Sequence, residues 1–143
     1  MSVDWNAFDR GVYLINTLGI IYNPKTKKIL IGLRQNDPYI PNLSWCFPGG
    51  RPRYNESLEE GLHREILVKT GLKVRVQQLI FARTHPEKQE FLSLYYHCEV
   101  IGGVEKAGEL FSDLKWISPS EAPTYFTTSI HPVILAYLHA LHP

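Results

Sequence analysis

Apolar residues along this chain follow two rhythms, and the changes between them mark out its elements. Residues 11–22 are dense in Val, Tyr, Ile and Leu and predict a strand. Asn23-Pro-Lys-Thr-Lys is turn chemistry, and residues 28–34, Lys-Ile-Leu-Ile-Gly-Leu-Arg, predict the returning arm of a hairpin. Residues 35–43 carry Asn36, Asp37, Pro38, Pro41 and Asn42 and read as a loop. Trp45-Cys-Phe predicts a short buried strand leading into Pro48-Gly49-Gly50.

The period then becomes helical. Leu58, Leu62 and Ile66 stand at i, i+4 and i+8 and form one core-facing stripe. Ser57 with Glu60 is a capping box at the start, and Lys69, Thr70 and Gly71 supply a basic last turn and a glycine stop. Residues 72–84 and 91–101 are strand-like again, joined by the polar turn 85–90. In the second, Tyr95 and Tyr96 predict one core and one surface position. Residues 102–110 form a Gly- and charge-rich loop, and Leu114–Ile117 a short strand. Residues 118–123 predict a turn or brief helix, and a final amphipathic helix starts between Ser129 and Pro132 and runs to about His139. The whole is one α/β (α+β) domain over 1–143, a mixed central sheet between two helices in an α/β/α sandwich.

Composition narrows the function classes. A chain of 143 residues, 44% hydrophobic and 20% charged, has a globular protein's composition and room for a real core. A net charge of +1 argues against a nucleic-acid partner, although Lys25, Lys27, Lys28, Arg34, Arg51 and Arg53 gather locally. No apolar run reaches membrane-spanning length, and the first residues show no leader pattern, so a cytoplasmic protein without a membrane partner is expected. Cys46 and Cys98 form no metal-type pair and are expected to be buried thiols. The six histidines show no metal-site spacing, and His85 falls in a turn near no identified ligand.

The chemistry concentrates in residues 50–72. They follow the spacing G-x5-E-x7-R-E-U-x-E-E-x-G-U, with U a bulky aliphatic residue, at Gly50, Glu56, Arg64, Glu65, Ile66, Gly71 and Leu72. Val68 and Lys69 stand where the pattern has adjacent glutamates. The stretch resembles the box of the Nudix hydrolases, the MutT-like family, in a degenerate form that lacks the paired metal-binding glutamates. The resemblance implies the Nudix fold and a hydrolase acting on a nucleoside diphosphate linked to another group. It also implies a divalent ion, Mg²⁺ or Mn²⁺, that neutralises diphosphate charge and activates water.

A helix turns about 100° per residue, so positions 65, 68 and 69 share one face. With one carboxylate left there, the resemblance implies a single ion held by Gly49, Glu65 and a loop carboxylate. Glu105, Glu109 and Asp113 are the candidates, with Glu109 first because it precedes the Leu114–Ile117 strand. Lys69 is an alternative source of charge, contacting the diphosphate directly. Catalytic roles fall to Glu65 and Arg64, the latter with a structural alternative as the partner of Glu56. Substrate contacts are assigned to Arg34, Arg51, Arg53 and Lys69, since arginine suits bidentate phosphate binding. Tyr39, Trp45 and Tyr54 are candidates for stacking on a base, with Trp45 also reading as core. Residues 32–38 with Trp45 and Pro48–Arg51 are somewhat similar to the GDP-mannose hydrolase branch, which cleaves at the sugar carbon. A Nudix domain that binds a nucleotide or nucleotide sugar without turnover, as sensor or interaction module, is the competing class, and a structural subunit the third. By analogy with relatives, a homodimer is the expected assembly.

Overall fold

A computed structural model of the chain describes residues 11–35 and 45–141. Most of the loop expected over 35–43, with Tyr39, and also His142 lie outside the described residues. The elements in order are β1 (Leu14–Asn23), β2 (Lys28–Arg34), β3 (Trp45–Cys46), β4 (Gly49–Gly50), α1 (Leu58–Thr70), β5 (Leu72–Thr84), β6 (Phe91–Gly103), β7 (Phe111–Ile117), a 3-10 turn (Pro119–Glu121), α2 (Ala122–Tyr125) and α3 (Pro132–Leu141). The sheet is mixed: β1 runs parallel to β6, and the other pairings are antiparallel.

The β1–β2 hairpin closes on Asn23, whose side-chain oxygen accepts the Lys25 N–H at 2.9 Å. The two strands pair only from Ile21↔Leu30 to Asn23↔Lys28. Beyond that they part. Residues 45–50 fill the opening, β3 pairing with β2 (Gly32↔Cys46) and β4 with β1 (Thr17↔Gly50). The Gly19 N–H donates to the Pro48 carbonyl between them, at 2.8 Å. This wedge places the Gly49-Gly50 turn at the centre of the sheet and beside α1.

Strand alternation sends neighbouring side chains to opposite faces, and here both faces are covered. Ile20, Ile29, Ile31 and Tyr95 pack with Ile134 and Leu138 of α3 in one layer. Ile21, Leu30, Tyr96 and Cys98 pack with Leu62 and Ile66 of α1 in the other. Tyr95 and Tyr96 are therefore both buried, at 5% and 4% exposure, which corrects the expectation of one core and one surface tyrosine. That expectation assumed one wet face, whereas a helix covers each side of β6.

Helix α1 begins where expected, with Ser57 Oγ accepting the Glu60 N–H at 3.1 Å. It stops at Gly71, whose φ of 74° would strain any residue with a side chain. The loop after β6 then caps its end: the Lys106 and Gly108 N–H groups donate to the Thr70 and Lys69 carbonyls at 2.8 and 2.9 Å. Strand β7 starts at Phe111 rather than Leu114, with its edge residues Ser112 and Asp113 exposed. Among the described residues no helix is long and apolar enough to cross a membrane.

Candidate functional site

Two glycines and one helix face build the site. Gly49 pairs with β1 so closely that an added Cβ would collide with the Thr17 carbonyl. At Gly50 an added Cβ would lie 2.5 Å from Glu65 Cδ, so the missing side chain is the space that Glu65 occupies. Thr17 Oγ1 donates to the Gly50 carbonyl at 3.1 Å and steadies the turn.

Glu65 is held from two sides. Arg64 Nη1 donates to its Oε1 at 3.0 Å, and Lys69 Nζ lies 3.2 Å from its Oε2. The rest of the Arg64 guanidinium grips Glu56, Nε to Oε2 at 3.1 Å and Nη2 to Oε1 at 2.7 Å. Arg64 hydrogen bonding and the Arg53 N–H hold the Glu56 carboxyl well below its ordinary range, at about 2. Gly61 makes room for that carboxylate, since a Cβ there would meet Glu56 Oε1 at 2.8 Å. Arg64 is thus a positioning residue that fixes Glu65 and anchors the motif loop. It is not among the residues that line the cavity.

Lys69 is the unexpected member. It is 5% exposed, and its ammonium donates to the Gly49 carbonyl at 2.5 Å besides pairing with Glu65. A buried lysine charge is tolerated only when paired and hydrogen-bonded, and both conditions hold. Its two partners are the oxygens that the resemblance assigned to a divalent ion.

These groups border a cavity of about 390 Å³, a size suited to a small molecule. Gly49, Glu65, Lys69, Arg34, Arg51 and Glu109 all line it, so six sequence-nominated residues converge on one space. Arg51 also lies 5.6 Å over the Phe91 ring, which sets its direction along the wall. Arg53 is not part of the wall. It is exposed, because the chain has turned by then to place its N–H on Glu56 at 2.9 Å. Tyr54 is fully exposed and away from the cavity, and Trp45 packs edge-on against Tyr125 at 5.9 Å. Val68 is 40% exposed and does not line the cavity, so the two departures from the glutamate pair differ in consequence. Of the other loop carboxylates, Glu105 accepts the Trp116 Nε1–H at 2.7 Å and Asp113 accepts the Leu114 N–H at 2.8 Å.

The rest of the lining was not foreseen. Phe47, Tyr95, Phe111 and Phe126 make part of it aromatic, and His85 and Ser93 add a polar pair. His85 Nε2 lies 2.6 Å from Ser93 Oγ. Burial, with the Arg83 guanidinium adding to it, lowers the His85 pKa from its ordinary 6.5, so the ring is neutral at pH 7. Register brings these residues in: β6 places Ser93 opposite Asn16 of β1 and Arg83 of β5.

The donor set does not fit a divalent ion with Lys69 in this position. One carboxylate remains on the helix face, and Lys69 and Arg64 already engage it. Among the described residues no group of three or more His, Cys, Asp or Glu side chains is placed to hold a metal.

Comparison with known proteins agrees with this architecture. Residues 12–138 match the family described as NUDIX domain. A MutT-like protein of Streptomyces ambofaciens is 26% identical over 123 residues, covering 85% of this chain and 74% of that one. An ADP-ribose pyrophosphatase of Methanocaldococcus jannaschii is 32% identical over 104 residues, covering 69% of this chain and 59% of that relative. Among solved structures, a NUDIX hydrolase from Nitrosomonas europaea superposes with a TM-score of 0.76 at 19% identity, covering 92% of this chain and 73% of that one. Its likeness is one of fold. Since the family match spans nearly the whole described domain and encloses the Gly-Gly turn and α1, the chain belongs to the Nudix family.

Proposed function

We propose that the cavity takes a nucleoside diphosphate linked to a second group, and that the chain hydrolyses its phosphoanhydride slowly, by an altered form of the family's chemistry. The observation that carries this reading is the convergence of Lys69, Arg34 and Arg51 with the Gly49-Gly50 turn and several aromatic side chains in the lining of one cavity. A diphosphate needs concentrated positive charge, and a base needs a flat apolar surface. Family members generally use divalent ions for the first task. Here the chain's own cations neutralise the phosphates, Glu65 and Arg64 hold Lys69 in place, and the neutral His85–Ser93 pair offers hydrogen bonds to the distal part of the ligand. A carboxylate already engaged by two cations is a poor base. Loss of general-base assistance costs on the order of 10²- to 10⁴-fold, and turnover is reduced accordingly.

A second reading is binding without turnover, as a sensor or interaction module. The specific observation in its favour is the same double engagement of Glu65. One experiment separates the two. Nucleoside diphosphate sugars, dinucleoside polyphosphates and nucleoside triphosphates are incubated with the chain, with and without Mg²⁺ or Mn²⁺, beside a Glu65→Gln control. Similarity to the ADP-ribose pyrophosphatase of Methanocaldococcus jannaschii makes ADP-ribose the first compound. Slow release of a nucleoside monophosphate, absent in the control, supports the hydrolase. Release of a free sugar instead points to attack at the sugar carbon, as in the GDP-mannose hydrolase branch. Binding with no product favours the sensor.

A further inference from the structure

We infer that the Lys69 ammonium is a tethered cation standing in for a dissociable metal ion, so that this chain grips a diphosphate without any divalent metal. The inference rests on the reading of the cavity as a diphosphate site. Its ground is the disagreement between the family's ion and the residues present.

Three observations carry it. Nζ sits on the Gly49 carbonyl at 2.5 Å and on Glu65 Oε2 at 3.2 Å, two oxygens of the kind that hard cations take. An ammonium has three donors. Among the described residues these two partners use two of them, and Lys69 lines the cavity, where the third reaches a ligand oxygen. Second, Arg64 holds the opposite oxygen of Glu65, so the carboxylate that aims Lys69 is itself fixed. Third, the local charge is inverted. A face with three glutamates repels a diphosphate until metals arrive. This face has one carboxylate, paired with Lys69 and with an Arg64 that Glu56 shares, and the cavity is lined by the cations Lys69, Arg34 and Arg51 against the carboxylates of Glu65 and Glu109, so its lining is net positive without an added cation.

The bland alternative is that Lys69 only fastens α1 to the Gly49 turn. The two readings differ in what happens to ligand binding. ADP is titrated calorimetrically into the wild-type chain in EDTA and in Mg²⁺, and Mn²⁺ binding is followed by its paramagnetic resonance signal. The expected result is equal ADP affinity in both buffers and no tight Mn²⁺ site. A Lys69→Met chain, checked for folding by its melting curve, weakens ADP in both buffers by about ten- to a hundredfold, the worth of one charge-assisted hydrogen bond. A Lys69→Glu chain places carboxylates at i and i+4 beside the Gly49 carbonyl, gains Mn²⁺ binding, and binds ADP only with metal present. Wild-type binding that requires Mg²⁺ overturns the inference and leaves the nucleotide reading standing. A folded Lys69→Met chain with undiminished affinity does the same. No ADP binding in either buffer overturns both. The wild-type comparison needs no variant, so a variant that does not fold leaves the test intact.

Discussion

Removing the Glu65 carboxylate strands a buried ammonium, and removing both partners does not. This asymmetry is the sharpest stability consequence of the site. The Glu65 and Lys69 side chains are 15% and 6% exposed, and the pair spans one helical turn. Breaking a fully buried pair from one side costs about 3–5 kcal/mol. The Gly49 carbonyl still accepts from Lys69, and the cavity admits solvent, so Glu65→Leu is expected to cost about 2–3 kcal/mol. Lys69→Met is milder, about 1 kcal/mol, because Glu65 keeps Arg64. Independent effects would sum to about 3–4 kcal/mol in the double variant. Replacing a whole buried pair by apolar groups is often neutral. The double variant is therefore expected to lose about 1 kcal/mol or less, a coupling of about 2–3 kcal/mol. Urea unfolding at pH 7 measures this directly, read from the midpoint at constant slope. At about 4 °C per kcal/mol for a domain of this size, the Glu65→Leu melting point falls by about 8–12 °C and the double variant recovers most of it. Simple additivity of the two single effects would refute the claim that ammonium and carboxylate act as one unit.

Other groups give independent checks. The Glu56 carboxyl is depressed to about 2 from 4.5 by Arg64, so its contribution is complete above about pH 4.5 and is lost as pH falls towards 2; acid unfolding of Glu56→Gln should lack that component. His97, hydrogen-bonded with Tyr137, has its pKa lowered from 6.5 by burial. The unfolded chain then binds the proton more readily, so stability present above pH 6.5 declines below it, and His97→Phe should flatten the melting-point profile between pH 7 and 5.5. Cys98 is fully buried, with its thiol pushed up to about 12 by burial, whereas Cys46 lines the cavity. One thiol should therefore react with a disulfide reagent in the folded chain, and ADP should slow that reaction; equal labelling of both cysteines would contradict the burial argument.

Much of this site was legible in the residue order, because its parts are local. Gly50, Glu65 and Lys69 lie on one turn and one helix, and helical period alone puts 65 and 69 on a common face. The fate of Arg64 was also half-readable, since Glu56 stands eight residues before it. The same local reasoning placed Val68 with them, yet the helix rotates it outward to 40% exposure. What stayed hidden depends on strand partners distant in sequence. The β1–β6 parallel register brings Ser93, and with it His85, to the cavity, and no periodicity in either strand encodes that pairing. Phe111 falls between the loop read over 102–110 and the strand read from Leu114, although β2 pairs with it at Arg34 and Gly32 leaves space for its ring. The two buried tyrosines of β6 were misassigned for a related reason: alternation shows which residues share a face, but only the packing of α1 and α3 decides whether both faces are dry.

The most direct test of the account is an amide-resonance titration of the isotopically labelled chain with ADP-ribose. The account predicts saturable shifts centred on Gly49, Gly50, Glu65 and Lys69, extending to His85 and Ser93. Shifts confined to other surfaces, or none at millimolar ligand, would contradict the assignment of this cavity as the nucleotide site.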